Sequence, residues 1–256
     1  MKFRTFYINN HHIQYQEMLS PDPIFEKFYL IENPKQAEVI AIPDGSIDFE
    51  FTWENNTCHG YVCGSFLHGQ KSVVSKYRRC FGGRLRWNMR FCFLGQSMVG
   101  LVDQRIPLST FLDVSPLERQ LCECSGLEEM LNVALSFFKD QRPYTLPIIA
   151  CNAAQIITKS TGVQRISTIA HMMGYTQQYV NNIFKQNYGV SLKKYSDIVR
   201  VQTALRYLES VDVLDVTVGL GYYDQAHFNR DFKQFTSLTP KLFIDVVCNQ
   251  KQCTVV

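Results

Sequence analysis

The chain lacks any long apolar run. No stretch of its 256 residues approaches the ~18 consecutive apolar residues needed to span a bilayer. No apolar segment follows the first residues, Met1 to Thr5, so we expect no signal peptide and no membrane partner. Charged residues make up 19% and hydrophobic residues 46% of the chain, a balance that excludes wholesale disorder. We therefore expect a cytoplasmic globular protein of one large domain or two ordinary ones.

The usual signatures of enzymes and metalloproteins are also missing. The sequence has no Walker loop, no dinucleotide fingerprint and no nucleophile–base motif, so we expect no catalytic residue and no cofactor. Its nine cysteines are an odd number in a long chain, which favours free thiols over a disulfide framework. His59 lies close to Cys58 and Cys63, but no CxxC or HxxxH spacing supports a metal site, and none is expected.

The N-terminal part is patterned as short strands separated by turns. Segments rich in β-branched and aromatic residues alternate with turn signals such as Pro43-Asp44-Gly45. They predict strands at 3–8, 25–32, 38–42, 47–53 and 59–63. From Ser115 the pattern becomes helical, and apolar residues between Leu127 and Phe138 recur at three- and four-residue spacing. The N-terminal part is therefore expected to be β-rich and barrel-like, and to end in helices.

Acidic residues alternate with apolar ones on one of the predicted strands. Asp48 and Glu50 lie between apolar neighbours, and Glu54 follows. One interpretation is a set of catalytic carboxylates. The other, which the alternation favours, is the solvated polar face of a half-buried strand.

The C-terminal part repeats itself. Gly174-Tyr175-Thr176-Gln177 recurs as Gly221-Tyr222-Tyr223-Asp224-Gln225, and after this insertion the offset is a constant 48 residues. Each copy predicts an amphipathic helix, a glycine in the left-handed C′ position, an N-capping residue and a second helix. Helix, glycine-containing turn and helix together form the helix-turn-helix pattern.

Polar side chains occupy the outward positions of the second helices. They are Gln178, Asn181 and Asn182 in the first copy and Gln225, Asn229 and Arg230 in the second, followed by Lys185 and Lys233 one turn later. Amide and guanidinium groups match the donor and acceptor pattern of purine edges in the major groove. The formal charge is −1 over residues 1–147 and +4 over 148–256, which favours a nucleic-acid partner for the second part.

A long helix is predicted between the two copies, from about Leu192 to Ser210, because Ile198, Val201, Leu205 and Leu208 form one apolar stripe. Its expected role is to hold the two motifs at a fixed separation. Two such helices that enter one side of a duplex should lie about 34 Å apart, which is one turn of DNA.

The second copy resembles the signature of the AraC/XylS family of transcription regulators. The resemblance rests on the run Gly221-Tyr222-Tyr223-Asp224-Gln225-Ala226-His227-Phe228-Asn229-Arg230-Asp231-Phe232-Lys233 followed by Thr239-Pro240, and it covers roughly residues 147–247. It implies a seven-helix DNA-binding domain and adds Ala226 to the expected base contacts. Double-stranded promoter DNA and RNA polymerase are the partners that it implies.

The resulting prediction is an α+β protein in four segments. Residues 1–142 form a β-rich sensor or dimerisation domain, 143–147 a linker, 148–247 the DNA-binding domain with two helix-turn-helix motifs, and 248–256 a C-terminal tail. The N-terminal part also resembles a sensor domain of some family members, at Pro43-Asp44-Gly45, at Cys63-Gly64-Ser65 and from Leu101 to Leu112. A small-molecule effector and a homodimer are further expected partners.

The sequence departs from the family pattern at three positions. Asn182 stands where the family usually carries Arg, Thr217 where it usually carries Ala, and Gly219 lies in the same helix. These departures leave open an interaction protein with degraded DNA binding. A DNA-repair-type enzyme that uses the same domain is the other alternative, but it would need a reactive cysteine, for which the sequence shows no motif. His227 is open to two interpretations, a phosphate contact or a packed side chain.

The interval between Glu54 and Asp103 contains no acidic residue. Arg84 and Arg86 alternate there with Leu85 and Trp87, so on a strand they would project from one face and could hold a carboxylate or phosphate. This arrangement predicts an anionic effector at Arg84 and Arg86. A solvated outer face is the favoured alternative, and a surface that touches DNA or RNA polymerase is the third.

Overall fold

The N-terminal part is built on antiparallel sheets. The computed structural model describes residues 3, 6–8, 12–245 and 254–255. Its largest sheet has the strand order β10-β6-β5-β8-β3-β2. These strands are β2 (Gln14–Leu19), β3 (Phe25–Glu32), β5 (Asp48–Glu54), β6 (Thr57–Cys63), β8 (Arg79–Leu85) and β10 (Arg105–Pro107). The predicted strands at 25–32, 47–53 and 59–63 are thus confirmed, with ends shifted by at most two residues.

A smaller sheet covers one face of the large one. It has the order β12-β1-β4-β7 and consists of β1 (Phe6–Ile8), β4 (Val39–Ala41), β7 (Gln70–Lys71) and β12 (Thr254–Val255). Short 3-10 helices at Val73–Lys76, Cys92–Leu94, Met98–Leu101 and Leu108–Thr110 connect the strands. Apolar side chains that include Phe6, Ile31 and Val39 fill the space between the two sheets.

Two helices cover the opposite face of the large sheet. They are α1 (Ser115–Glu123) and α2 (Leu127–Phe138), and α2 confirms the predicted amphipathic helix. The core between helices and sheet is rich in phenylalanine; the Phe49 ring, for example, stacks on Phe138 with centroids 5.0 Å apart. Aromatic rings contribute large buried areas, so this cluster fixes the helices on the sheet.

Because both faces of the large sheet are covered, β5 is buried on both sides. Asp48 and Glu50 are only 6% and 5% exposed and point toward the smaller sheet, whereas Glu54 is exposed. The expectation of a solvated acidic face on this strand was therefore wrong for Asp48 and Glu50. Alternation on a strand indicates a half-buried position only when one face remains open to water.

The C-terminal part is helical and has two hydrophobic cores. Its helices are α3 (Ile148–Lys159), α4 (Ile166–Met172), α5 (Gln177–Tyr188), α6 (Leu192–Tyr207), α7 (Val213–Gly219), α8 (Gln225–Thr236) and α9 (Pro240–Phe243). Tyr195 and Val199 of α6 belong to the first core, and Ile198 and Leu205 of the same helix belong to the second. The long helix predicted from the apolar stripe is therefore shared by both cores, and the α+β fold is confirmed.

The two ends of the helical part contact the β-rich part. Residues 143–145, which fall in the predicted linker, form β11 (Pro143–Thr145) and pair with β9 (Met89–Phe91). The predicted tail at 248–256 lies mostly outside the described residues, and its described pair, 254–255, forms β12 against β1. None of the helices in the described part of the chain has the length and apolarity required to traverse a membrane.

Candidate nucleic-acid interface

Each repeat folds into two helices joined by a tight turn. Gly174 and Gly221 follow the first helices with φ of 74° and 66°, a left-handed conformation that favours glycine. The second helices begin at the predicted N-caps. The Thr176 hydroxyl accepts a hydrogen bond from the backbone N–H of Tyr179 at 3.3 Å, and the Asp224 carboxylate accepts one from His227 at 2.7 Å. These contacts fix where α5 and α8 start.

One face of each second helix is anchored in its core. Val180 and Phe184 of α5 are completely buried, and so are Phe228 and Phe232, which lie 48 residues later in α8. Since side chains three and four residues apart share one face of a helix, this anchoring directs the opposite face to solvent.

The solvent-directed face carries the residues predicted to bind DNA. Gln178, Asn182, Lys185, Gln225, Ala226, Asn229, Arg230 and Lys233 are all exposed. Within the described residues, none of these polar side chains makes a hydrogen bond or ion pair, so their donors and acceptors are available to a ligand. Their contacts with DNA stay a prediction.

Asn181 has a different environment from the other predicted residues. It is half-buried, and its carboxamide oxygen accepts a hydrogen bond from the backbone N–H of Leu192 at 3.0 Å. Leu192 is the first residue of α6, whose first turn has N–H groups without helical partners. Asn181 thus connects α5 to the start of the long helix, and its amide NH2 group remains available for a base contact.

The turn of the second motif is connected to α6 by a cation–π contact. Arg200 of α6 lies 2.6 Å from the Asp197 carboxylate, and its guanidinium carbon lies 4.4 Å from the centre of the Tyr222 ring. The His227 ring meets Tyr222 edge-on and lies 3.5 Å from Asp231. These contacts give His227 a packing role.

The departures at Thr217 and Gly219 are accommodated locally. Thr217 is buried, and its hydroxyl donates a hydrogen bond to the carbonyl of Val213 at 2.7 Å, so the buried hydroxyl is satisfied. Gly219 is the last residue of α7, with open space where a Cβ would lie. Both lie on the first helix of the motif rather than on the exposed face of α8.

The residues predicted to bind an effector lie apart from this interface. Arg84 is 4% exposed and forms ion pairs with Asp44 at 2.7 Å and Asp48 at 3.0 Å. Burial alone would lower the pKa of Arg84, but these two carboxylates raise it well above its usual value. Arg86 lies beyond the end of β8, so the two arginines do not share the face of a strand. The charge of Arg84 is therefore already compensated.

No metal site is visible in the described part of the chain, where no three His, Cys, Asp or Glu side chains come together. The cysteines of the β-rich part are free thiols, and most are buried. Burial raises the pKa of Cys58, Cys63 and Cys80 well above the usual range of a thiol.

A family model described as a helix-turn-helix domain matches residues 169–245, the segment that contains both motifs. The helical part thus carries an AraC-type helix-turn-helix domain. A probable transcription factor of Proteus vulgaris, PqrA, is 35% identical over 81 residues, which is 31% of this chain and 66% of that protein. The uncharacterized HTH-type transcriptional regulator YtdP of Bacillus subtilis strain 168 is 31% identical over 77 residues, 29% of this chain and 10% of that protein. The chain thus spans less than two thirds of each relative.

Among solved structures, ToxT of Vibrio cholerae shows a distant likeness along most of this chain. It is 11% identical, with a TM-score of 0.41, over 97% of this chain and 95% of ToxT. The C-terminal domain of AraT, a response regulator of Geobacillus stearothermophilus, is 24% identical with a TM-score of 0.36, over 38% of this chain and 84% of that domain.

Proposed function

We propose that this protein is a sequence-specific DNA-binding transcription regulator of the AraC family and not an enzyme. The observation that carries the proposal is the pair of polar faces on α5 and α8, whose exposed Gln, Asn, Arg and Lys side chains have no hydrogen-bond or ion-pair partner within the described residues. A polar surface of this kind on the second helix of a helix-turn-helix motif suits the major groove. Two such faces on one chain suit two successive segments of the groove.

The long helix α6 sets the distance between the two motifs. Its residues contribute to both hydrophobic cores, so neither motif can move independently without disrupting one of them. The Asn181 contact to Leu192 and the Arg200 contact to Tyr222 attach α6 to the two motifs by polar groups as well. We expect α5 and α8 to enter the groove about one DNA turn, or 34 Å, apart.

The exposed side chains divide into base readers and phosphate contacts. Gln178, Asn182, Gln225, Asn229 and Arg230 lie in the first two turns of their helices, where base edges come within reach. Asn182 would favour adenine, and Arg230 would favour guanine. Lys185 and Lys233 lie a turn later and would meet the phosphate backbone.

The β-rich part contacts the ends of α5 and α8, which are the second helices of the two motifs. The backbone N–H of Gly69 donates to the carbonyl of Gln234 at 3.0 Å, near the end of α8. Gly189, at the end of α5, lies against the 3-10 helix Met98–Leu101, where an added Cβ would meet the Met98 carbonyl oxygen at 2.8 Å. We propose that an effector acts through these contacts, and that a second copy of the chain and RNA polymerase are further partners.

A repair-type enzyme is the less favoured alternative, because such chemistry needs a stabilised thiolate. Burial keeps Cys58, Cys63 and Cys80 protonated at neutral pH. Their environment therefore favours packing roles over nucleophilic ones.

Arg230→Ala is expected to relax sequence preference at one position of the bound DNA, at a cost of about 1–3 kcal/mol for the preferred base. Lys233→Ala, one turn later on the same helix, is the matched control and should weaken binding equally for all sequences. Fluorescence anisotropy with the region upstream of the protein's own gene, and with single-base variants of it, measures both effects. Equal weakening for every sequence by Arg230→Ala would show that Arg230 does not read a base.

A further inference from the structure

A cavity of about 400 Å³ lies where the β-rich and helical parts meet. Its walls carry apolar side chains from both parts, among them Ile47, Leu85 and Trp87 on one side and Ala154, Tyr188 and Tyr195 on the other. Small-molecule sites have volumes of about 300–1,000 Å³ and combine apolar walls with a few polar groups. The charged residues that line this cavity are Glu26, Lys27, Asp44, Arg84, Arg90 and Lys159. The cavity is thus large enough for a small organic ligand.

Arg90 in the cavity wall is buried without a carboxylate. It is 3% exposed, and its guanidinium lies near the backbone carbonyls of Met89 and Asn187 and over the Tyr188 ring, 5.7 Å from the ring centre. Its Nε has no hydrogen-bond partner. Burial lowers the pKa of Arg90 to about 10, so the side chain is still charged at neutral pH.

Arg84 provides the internal comparison. It is the other arginine in the described residues that is buried to this degree, and it has two carboxylates as partners. All 23 acidic residues of the chain lie within the described part, and none forms an ion pair with Arg90. A buried charge is normally paired, because the transfer of an unpaired charge out of water costs several kcal/mol. Arg90 therefore lacks the counter-ion that its position requires.

The remaining cations around the cavity are compensated or exposed. Lys27 lies 2.6 Å from the Glu17 carboxylate, and Arg84 is paired as described. Lys159, at the end of α3, is exposed. Among the cations that line the cavity, Arg90 is therefore the one that is buried and has no carboxylate partner within the described residues.

We propose that this cavity binds a small organic anion, a carboxylate or phosphate ester with an apolar body, whose head group pairs with Arg90. The apolar body would lie against Trp87, Leu85 and Tyr195. The proposal deepens the proposed function, on which it rests, by naming the ligand class and the site. It also replaces Arg84 and Arg86 by Arg90 as the anion-binding residue.

The position of Arg90 connects this site to the first motif. Asn187 and Tyr188 are the last two residues of α5, and the Arg90 Nη2 lies 3.4 Å from the Asn187 carbonyl oxygen. An anion that pairs with the guanidinium would compete with this carbonyl. Occupancy of the cavity would thus change how the β-rich part holds the end of α5.

The full chain can be tested with three pairs of probes, each consisting of an anion and a neutral counterpart. They are cyclohexanecarboxylate with cyclohexanecarboxamide, cyclohexyl phosphate with cyclohexanol, and phenylacetate with phenylacetamide. The chain has two tryptophans, Trp53 and Trp87, and Trp87 lines the cavity. In Trp53→Phe protein the emission therefore reports on Trp87. At least one anion should change this emission saturably and bind at least tenfold more tightly than its neutral counterpart.

Arg90→Gln should reduce the affinity for that anion at least tenfold, whereas Arg86→Gln, four residues away and outside the cavity wall, should change it less than twofold. The proposal is overturned if no anion binds, if each neutral compound binds as well as its anion, or if both variants behave alike. The comparison of anion with neutral compound uses no Arg90 variant, so it decides the matter even if Arg90→Gln does not fold.

DNA affinity is then measured separately, with and without the bound anion. A change of at least threefold in the parent chain that is absent in Arg90→Gln supports the connection to α5. An anion that binds without any change in DNA affinity would contradict that connection. Failure of the chain to bind DNA, with the anion still bound at Arg90, would contradict the proposed function and leave the ligand site intact.

Discussion

Arg84→Met is expected to destabilise the protein by about 3–5 kcal/mol, because it removes the buried arginine that pairs with two buried carboxylates. Asp44 and Asp48 are 6% exposed each, and both lie within 3.0 Å of the Arg84 guanidinium. Asp48 also accepts a hydrogen bond from the Tyr29 hydroxyl at 3.2 Å, which does not neutralise its charge. For a chain of this size the melting temperature should fall by roughly 6–20 °C in differential scanning calorimetry.

Arg86→Met is the matched control for this measurement. Arg86 is partly exposed, lies two residues away and has no carboxylate partner in the described structure, so its replacement should cost less than about 0.5 kcal/mol. Adding Asp44→Asn and Asp48→Asn to Arg84→Met should recover part of the lost stability, since it removes the two buried negative charges with which Arg84 paired. Equal melting temperatures for the two arginine variants would contradict the account of this ion-pair cluster.

DNA affinity is expected to fall roughly 1,000-fold between 50 and 200 mM salt, the loss typical of about six phosphate contacts. Exposed cations of the helical part that could make such contacts, besides the base-reading Arg230, are Arg165, Lys185, Lys193, Arg206, Lys233 and Lys241. Each cation that neutralises a phosphate releases counter-ions from the duplex, so log affinity should fall linearly with log salt concentration. Anisotropy titrations at four or more salt concentrations give the slope.

The combined change Lys185→Gln and Lys233→Gln should reduce this slope by about 1.8, because each lost phosphate contact contributes about 0.9. Lys139→Gln, at the exposed end of α2 in the β-rich part, removes a cation outside the interface and should leave the slope unchanged. A slope that is insensitive to the Lys185 and Lys233 changes would place the phosphate contacts elsewhere on the protein.

The helical part could be predicted closely because its signals are local. The 48-residue repeat, the glycines at 174 and 221 and the caps Thr176 and Asp224 each specify the conformation of their immediate neighbours. The apolar spacing in α6 likewise gave the helix that connects the motifs. Residues within one or two helical turns determine all of these features.

Features that depend on distant residues were not predictable. Asp48 and Glu50 are buried because the smaller sheet covers β5, and Asp48 meets Arg84 because β5 pairs with β8. Asn181 meets Leu192 only after the chain has turned between α5 and α6. Arg90 becomes an unpaired buried cation only when α5 packs beside β9. The sequence holds no local pattern for any of these contacts.

Selection of binding sites from random double-stranded DNA by the full chain tests the central claim most directly. If α5 and α8 both read bases and α6 fixes their separation, the enriched sequences will contain two conserved blocks whose centres lie about 10 base pairs apart. Arg230→Ala should then degrade one of the blocks and leave the other unchanged. Enrichment of a single block, or of no sequence at all, would contradict the claim that this protein reads DNA with two recognition helices.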